Sequence, residues 1–264
     1  MKIPLIGLGT WDLRGHECTQ TVKLALELGY RHIDTAHVYE NHEAIQKGIK
    51  GFDRKQLFIT SKFPLEMLDA ENISSSIEES CDLALKQLGT DYLDLYLIHW
   101  PHRTWPITEI FKVMETLVQK GKIKKAGVSN FTIHHLEDLL NDGHKPAANQ
   151  VEFHPYLYQE ELWQYCKVEQ IQLIAYRPFG KGAVLKDPIL KKIGSSHEKN
   201  SAQVILRWLV QKEIPTIPKA SSEEHLAENL DVFDFELSAK EMHEIDKLNQ
   251  DKRYCKADDS EFEY

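Results

Sequence analysis

Long hydrophobic runs and clusters of basic residues are both missing from this sequence. No stretch approaches the roughly 20 apolar residues of a membrane-spanning helix, and the N-terminal residues carry no signal-peptide cleavage site. Acidic residues outnumber Lys and Arg by 41 to 32, which gives a net charge of −9, and no segment interleaves clustered cations with aromatic rings. We therefore expect a cytoplasmic protein that has neither a membrane nor a nucleic acid as partner.

Cysteine is scarce and scattered. The four cysteines form no C-x-x-C pair and stand at Cys18, Cys81, Cys166 and Cys255. Their spacing argues against a zinc ribbon and a thioredoxin-like redox motif, and it is consistent with structural or incidental thiols in a reducing compartment. A composition of 42% hydrophobic and 28% charged residues is that of an ordinary globular protein.

The glycine fingerprint of an open dinucleotide-binding sheet is incomplete. Gly7 and Gly9 match the first two glycines of G-x-G-x-x-G, but Asp12 stands at the third, and no βα unit surrounds the motif. We interpret both glycines as turn residues in a segment that precedes the first βα unit.

One supersecondary pattern repeats along the chain: a short aliphatic or β-branched run, a polar loop, and a segment with apolar residues at helical spacing. The helical stripes are clearest over residues 73–88 and 107–118, and a third follows a predicted N-cap at Ser201. The pattern predicts eight strands, at residues 31–36, 57–62, 92–99, 125–130, 148–153, 172–176, 213–218 and, most weakly, 232–235.

No linker or shift in composition divides the chain, and alternating βα units favour one parallel sheet, closed or open, covered by helices. Because the open-sheet fingerprint fails, we predict a single-domain α/β protein, a (β/α)8 TIM barrel, over residues 1–264. Residues 1–29 are expected to precede the first barrel strand, and residues 249–264 to form a polar C-terminal tail.

Polar side chains collect where the predicted strands end, which is the face of a barrel that carries its functional groups. A lone Lys or His there would most simply be structural. Together, however, an acid, a phenol, an amine and an imidazole from separate strand ends form a chemically useful set. The strand-end residues are Asp34, Tyr39, Lys62, His99, Ser129, Asn130, Gln150 and Glu152.

Within this set, Tyr39 has the chemistry of a general acid. A phenol has an unperturbed pKa near 10, and a neighbouring ammonium lowers that pKa by stabilising the phenolate. Lys62 would supply the ammonium, Asp34 would keep it charged and oriented, and His99 would hydrogen-bond the oxygen of a substrate.

Seven ordered motifs make the sequence resemble the aldo-keto reductase family from Ile3 to about Asn249. They read G-L-G-T-W from Gly7, G-Y-R-H-I-D-T-A from Gly29, I-T-S-K from Ile59, D-L-Y-L-I-H-W-P from Asp94, G-V-S-N-F from Gly127, N-Q-V-E-F-H-P from Asn149 and I-P-K from Ile217. The resemblance implies NAD(P)H-dependent reduction of small aldehydes and ketones on a (β/α)8 barrel. Hydride would pass from nicotinamide to the carbonyl carbon, with Tyr39 as proton donor, and the implied catalytic tetrad is Asp34, Tyr39, Lys62 and His99.

The resemblance further implies a nicotinamide nucleotide bound in extended form. Ser129, Asn130 and Gln150 would hold its carboxamide, and Tyr176 would stack on the nicotinamide ring. The implied cofactor-binding residues are Thr10, Ser129, Asn130, Gln150, Tyr176, Arg177, Phe179, Lys219, His225, Glu228 and Asn229.

The chain departs from the family pattern in the nucleotide site. Arg177 replaces a serine beside the expected pyrophosphate path, where it either adds a charge contact or points to solvent. Ala220 and His225 replace a serine and the arginine that normally meets the 2′-phosphate of NADPH. Neutral imidazole lacks the bidentate fork of a guanidinium. Because Lys219 remains as one cation for a phosphate, we predict NADPH as cofactor with a reduced margin over NADH.

Trp11 and Trp100 match positions that line the substrate pocket in the family, although both could equally pack at the barrel mouth. Short loops resemble those of the small bacterial branch that reduces 2,5-diketo-gluconate and methylglyoxal. We therefore expect an open pocket, a small carbonyl substrate and a monomer. His102 and Arg103 either attract a carboxylated sugar or are ordinary solvated charges.

Two other functions stay open at this point. A metal-dependent hydrolase on the same barrel would use Asp34, His37, His99 and His154, but no H-x-H pair closes a strand, and Tyr39 would have no task. We predict no bound metal. A non-catalytic sensor of nicotinamide nucleotides would keep the barrel and lack turnover, because a fold does not guarantee a function.

Overall fold

The computed structural model describes residues 2–255, 261–262 and 264. Seven short strands form one sheet in chain order, and every neighbouring pair is parallel. The strands are β1 (Leu8–Gly9), β2 (His32–Asp34), β3 (Phe58–Phe63), β4 (Leu95–Ile98), β5 (Ala126–Ser129), β6 (Ala148–Glu152) and β7 (Gln172–Tyr176).

The two edges of this sheet are joined by the segment at Thr216. Thr216 forms parallel bridges with Ile6, next to β1, and with Ala175 in β7. The fold is therefore a closed (β/α)8 barrel in which this segment occupies the position of the eighth strand. Pro215 and Pro218 have no N–H to donate, so the predicted strand at residues 213–218 forms isolated bridges and not a continuous ladder.

The first strand of the barrel lies earlier in the chain than predicted. Leu8 and Gly9 pair in register with Ile33 and Asp34, so the expectation that residues 1–29 precede the first barrel strand is corrected. A two-residue strand is too short to show an alternating pattern. Gly9 is needed here for close approach, and not as a turn residue, because a Cβ on it would lie 2.5 Å from the Ile217 carbonyl oxygen.

The weakest predicted strand, at residues 232–235, is wrong. Val232 is buried, but Phe233 is 55% exposed, and Arg207 Nη1 donates a hydrogen bond to the Val232 carbonyl at 3.2 Å. The segment is a loop packed on a helix, outside the sheet. Val232 packs into the hydrophobic core, whereas Phe233 faces solvent, and neither belongs to a strand of the sheet.

Ten helices are present in the described ranges, and most follow a strand and pack their apolar stripes on the sheet. The predicted stripes at residues 73–88 and 107–118 are confirmed as helices. The predicted N-cap at Ser201 is wrong by one residue, because the cap is Asn200, whose side chain accepts a hydrogen bond from the Gln203 N–H. None of these helices is long and apolar enough to cross a membrane. The helices are α1 (Gly15–Leu28), α2 (His42–Gly48), α3 (Ile73–Leu88), α4 (Ile107–Gln119), α5 (Ile133–Asn141), α6 (Glu160–Val168), α7 (Pro188–Ser196), α8 (Ser201–Gln211), α9 (Glu223–Leu230) and α10 (Ala239–Asp246).

The hydrophobic core has two layers, because successive strand residues face opposite sides of a sheet. A large cluster includes Ile59 of β3 and packs between the strands and the helices. A small second cluster fills the base of the barrel and consists of Ile3, Phe58, Leu95, Leu97, Ala148 and Ile174. The inward positions beyond this plug, at the carboxyl ends of the strands, are polar.

Candidate active site

Strand alternation explains why the polar residues converge. In β3, Phe58 faces the inner plug, so Thr60 and Lys62 face inward as well. The same parity places Gln150 on the inward side of β6, above Ala148. These inward positions at the carboxyl ends of the strands thus carry functional groups above an apolar base.

Asp34 and Lys62 form a buried ion pair at the centre of this layer. Lys62 Nζ lies 2.5 Å from Asp34 Oδ1 and also donates to the Thr35 carbonyl at 2.8 Å. Gln150 Nε2 donates to the other carboxylate oxygen at 2.6 Å. Burial by itself lowers the pKa of Lys62, but Asp34 and Tyr39 outweigh it and raise that pKa above its ordinary value. Lys62 is therefore an ammonium at neutral pH.

A single 3-10 turn, His37–Tyr39, follows β2 and carries the phenol. Lys62 Nζ lies 5.2 Å from the centre of the Tyr39 ring, and the His99 ring lies 6.1 Å away. Burial raises the pKa of Tyr39, and Lys62 opposes this rise without overcoming it. Lys62 thus lowers the pKa of Tyr39, as predicted from the sequence, but burial raises this pKa by more. The phenol keeps its proton at neutral pH.

His99 is a neutral imidazole in this setting. Burial, helped by the nearby Lys62 ammonium, lowers the pKa of His99 to about 3. A neutral imidazole can donate a hydrogen bond to a carbonyl oxygen without carrying a charge of its own.

Two further buried histidines lie close to this layer and give a testable pH dependence. Burial lowers the pKa of His32 to about 3 and that of His42 to about 4, as it does for His99. In the unfolded chain each would titrate near 6.5. The unfolded state therefore binds protons first, and stability present above pH 6.5 is lost as pH falls towards 4.

We expect the free energy of unfolding, measured by urea titration, to fall between pH 6.5 and 4 by about 1.4 kcal/mol per pH unit for each of these histidines. His42→Gln should reduce the slope by about one proton. His243→Gln removes an exposed histidine of α10 and should leave the slope unchanged. Equal slopes in all three proteins would refute the assignment of buried neutral histidines.

Amide and hydroxyl groups beside the tetrad are already held by hydrogen bonds. Ser129 Oγ donates to the Gln150 carbonyl at 2.7 Å, and Asn130 Nδ2 donates to the His99 carbonyl at 3.0 Å. Tyr176 donates its O–H to Asn130 Oδ1 at 2.7 Å. The side chains expected to meet a nicotinamide thus form one connected network.

Tetrad and network line a single cavity of about 300 Å³. Trp11, which is 50% exposed, forms part of its wall, and the Trp100 ring stacks beside His99 at 6.3 Å. A larger groove of about 750 Å³ lies among α5, α6 and α10, shares Asn130, and contains none of the tetrad. Sequence reasoning missed the lining residues Gly9, Val38, Ile217 and Cys255.

A second cavity of about 440 Å³ adjoins the first, because Lys219 lines both. Thr10 reaches neither, since its buried hydroxyl donates to the Asp34 carbonyl at 2.8 Å and so braces β2. The two adjoining cavities offer an amide network, a tyrosine ring and a lysine ammonium, which are groups that could hold a nucleotide. The predicted cofactor-binding residues that line the second cavity are Phe179, Lys219, His225, Glu228 and Asn229, and Ala220 lines it as well.

Glu152 explains how Cys255 enters the first cavity. Its fully buried carboxylate accepts the backbone N–H groups of Tyr254 at 2.8 Å and of Cys255 at 2.6 Å, and lies 3.0 Å from His154 Nε2. Burial acts to raise the pKa of Glu152, but these hydrogen bonds lower it overall. Glu152 therefore anchors the tail, a role that no motif marks in the sequence.

The described end of the tail lies at the rim of the cavity. The Phe262 ring makes an edge contact with Trp100 at 5.9 Å, and Arg103 Nε lies 3.6 Å from Glu261. Arg103 thus contacts the tail. Residues 256–260 and 263 of the predicted tail lie outside the described residues.

The ligands that a metal-dependent hydrolase would need do not converge. Across residues 2–255, 261–262 and 264, no group of three or more His, Cys, Asp or Glu side chains could hold a metal ion. His154 is instead committed to Glu152.

Comparison with known proteins gives a consistent result. Residues 5–250 match the Aldo/keto reductase family. Glyoxal reductase of Bacillus subtilis (strain 168) is 47% identical over 257 residues, which cover 96% of this chain and 91% of the relative. The 9,11-endoperoxide prostaglandin H2 reductase of Trypanosoma cruzi (strain CL Brener) is 39% identical over 260 residues, covering 96% and 90%.

Solved structures share the fold as well. The crystal structure of an aldo/keto reductase from Brucella melitensis aligns with a TM-score of 0.86 at 39% identity, covering 93% of this chain and 95% of that chain. Barrel, site and relatives together define an oxidoreductase that acts on carbonyl compounds. The chain belongs to the aldo/keto reductase family.

Proposed function

We propose that this protein reduces small aldehydes and ketones with a nicotinamide nucleotide, and that Tyr39 is the proton donor. The observation that carries the proposal is the placement of a protonated phenol, a buried ammonium–carboxylate pair and a neutral imidazole around one cavity. The family and the reductase relatives support it.

Four residues have the chemistry to hold the nicotinamide end of the nucleotide. Ser129, Asn130 and Gln150 offer the hydroxyl and amide groups that a carboxamide pairs with, and Tyr176 offers a flat ring for stacking. When bound there, the reduced nucleotide supplies the hydride.

The proton transfer belongs to the protein's own residues. Tyr39 donates its phenolic proton to the carbonyl oxygen as negative charge develops there, and His99 hydrogen-bonds the same oxygen. The Lys62 ammonium stabilises the phenolate that Tyr39 leaves behind, and Asp34 holds Lys62 in place. Both side chains of this pair are only 2% exposed, and the apolar plug lies beneath them.

The substrate is expected to be small. A cavity of about 300 Å³ with indole walls from Trp11 and Trp100 suits compact carbonyl compounds, and the similar Bacillus enzyme carries the name glyoxal reductase. We propose glyoxal, methylglyoxal and 2,5-diketo-gluconate as candidate substrates.

The test is NADPH oxidation at 340 nm with these three compounds and with simple aromatic aldehydes. Turnover with a small dicarbonyl is the expected result. Tight NADPH binding without turnover across the whole panel would instead favour a non-catalytic sensor.

We propose NADPH as the cofactor, with a limited preference over NADH. In place of an arginine, the exposed His225 lies in the second cavity with Lys219, and imidazole cannot form a bidentate contact with a 2′-phosphate. We expect kcat/KM with NADPH to exceed that with NADH by less than about a thousandfold, roughly 4 kcal/mol. A larger ratio would show that the loss of the arginine has not weakened recognition.

A further inference from the structure

Arg177 brings a guanidinium into the catalytic cavity. The residue is half-buried, has a left-handed φ of 50°, and lines the same cavity as the tetrad. Its Cζ lies 5.3 Å from the centre of the Trp11 ring, which forms part of the cavity wall. Its Nη1 is buried and, within the described part of the chain, has no hydrogen-bond partner. The cavity therefore contains an arginine nitrogen that no acceptor occupies.

The other six arginines of the chain differ from Arg177 in this respect. Each of them lies against at least one oxygen acceptor, which occupies N–H groups of its guanidinium. The pairs are Arg14 with Glu40, Arg31 with the Leu26 carbonyl, Arg54 with Asp94, Arg103 with Glu261, Arg207 with Gln211, and Arg253 with Gln159. Arg177 is thus distinguished by its nitrogen without an acceptor as well as by its position.

A guanidino group and a 1,2-dicarbonyl compound react with each other without a further reagent. Each of two guanidino nitrogens adds to one carbonyl carbon, so that two C–N bonds form and the π bonds of both carbonyl groups break. Each nitrogen loses one proton to water, and each carbonyl oxygen gains one. The product is a five-membered dihydroxyimidazolidine ring, with no leaving group and no net oxidation or reduction. A simple aldehyde cannot close this ring, because it has only one carbonyl group.

Proximity favours this reaction at Arg177. Arginine is almost entirely protonated at neutral pH, so its nucleophilic form is rare at every position in the chain. The rate then depends on how long a dicarbonyl stays beside the group, because holding two reactants together makes their reaction effectively unimolecular. The function proposed above holds a carbonyl compound against Tyr39 and His99, in the cavity that Arg177 lines. Building on that function, we propose that Arg177 is a site at which 1,2-dicarbonyl compounds modify this protein covalently.

The other nucleophiles of the cavity form different products. Lys62 is an ammonium paired with Asp34, so it has no lone pair to offer. Cys255 and Lys219 also line the cavity. A thiol or an amine adds to one carbonyl group and forms a hemithioacetal or an imine, which reverses when the dicarbonyl is removed. The ring at Arg177 is held by two C–N bonds, so a product that survives removal of the dicarbonyl identifies the arginine.

Reduction and modification compete for the same bound molecule. When reduced nucleotide is present, hydride transfer converts one of the two carbonyl groups to an alcohol, and the ring can no longer form. When reduced nucleotide is exhausted, the dicarbonyl stays intact beside Arg177 and reacts with it. The protein therefore loses activity when dicarbonyl accumulates faster than nucleotide is supplied.

The test exposes the protein to glyoxal without nucleotide, removes the glyoxal by gel filtration, and locates the modified arginines by mass spectrometry of peptides. Arg177 should be the most heavily modified of the seven arginines, ahead of Arg14, whose side chain is 63% exposed. Activity with benzaldehyde and NADPH should fall in proportion to the modification of Arg177. Propanal in place of glyoxal should cause neither change.

Three variants identify the group that is responsible, each compared with its own untreated activity. Arg177→Asn suits the backbone, because asparagine tolerates a left-handed φ, and it should keep its activity after exposure to glyoxal. Arg14→Lys is the matched control and should lose activity as the wild type does, and so should Cys255→Ser. If Arg14 is modified as fast as Arg177, or if Cys255→Ser is protected and Arg177→Asn is not, the proposal is wrong.

The modification and the reductase function fail separately, because the peptide map requires no turnover. Modification of Arg177 by glyoxal in a protein that reduces no carbonyl compound would refute the reductase function and leave the modification site intact. Reduction of glyoxal by a protein whose Arg177 stays unmodified would overturn the modification site alone.

Discussion

Tyr39→Phe should lower kcat for carbonyl reduction by about 10²- to 10⁴-fold, the usual contribution of a positioned general acid. The substitution removes only the hydroxyl that donates the proton. The ring can still pack beside His99 and over Lys62. The Kd for NADPH should therefore change little, and the rate is measured as NADPH oxidation at 340 nm.

Tyr165→Phe is the matched control, because Tyr165 belongs to α6 and does not line the cavity. It should keep wild-type activity. If Tyr39→Phe keeps full activity as well, the proton comes from another group and the assigned mechanism is wrong.

Lys62→Met should be the most destabilising single change in the site. Both partners of the Asp34–Lys62 pair are 2% exposed, so the substitution leaves a carboxylate buried without its counter-ion. Breaking such a pair costs about 3–5 kcal/mol, which urea unfolding at pH 7 would detect. The double variant Asp34→Asn with Lys62→Met should recover part of this loss, because its site holds no unpaired charge.

A surface pair provides the comparison. Lys240 and Glu244 lie one helical turn apart in α10 at 3.9 Å, with Lys240 86% exposed. Lys240→Met should cost less than about 1 kcal/mol, as exposed ion pairs contribute little. If Lys62→Met and Lys240→Met lower the free energy of unfolding equally, the loss of Lys62 does not leave a costly unpaired charge at Asp34, and the prediction is wrong.

The barrel could be predicted from the sequence because six of its strands carry enough β-branched and aliphatic residues to show a pattern. The other two strand positions of the barrel show no such pattern. β1 has only two residues, Leu8–Gly9, and the closing segment is interrupted by Pro215 and Pro218. The sequence still predicts the closing segment, at residues 213–218, but it misses β1, which is fixed by contacts across the barrel and not by local pattern. Residues 232–235 make up the predicted count of eight in place of β1.

The four tetrad residues come together because they lie at the ends of strands and because alternate strand residues face inward. Both features can be recognised in the sequence. Other features of the site depend on distant packing. Cys255 lines the cavity, and its backbone N–H donates to Glu152, 103 residues earlier in the chain. The pKa of Tyr39 rises because burial outweighs Lys62, and that balance requires the folded surroundings.

The most direct test of a hydride-transferring reductase with Tyr39 as acid is isotope transfer from NADPH that carries deuterium at the reactive C4 position. Wild-type protein incubated with glyoxal and this nucleotide should yield glycolaldehyde with one deuterium on the former carbonyl carbon, and Tyr39→Phe should yield almost none. An alcohol product free of deuterium, or the same deuterated yield from Tyr39→Phe, would contradict the mechanism.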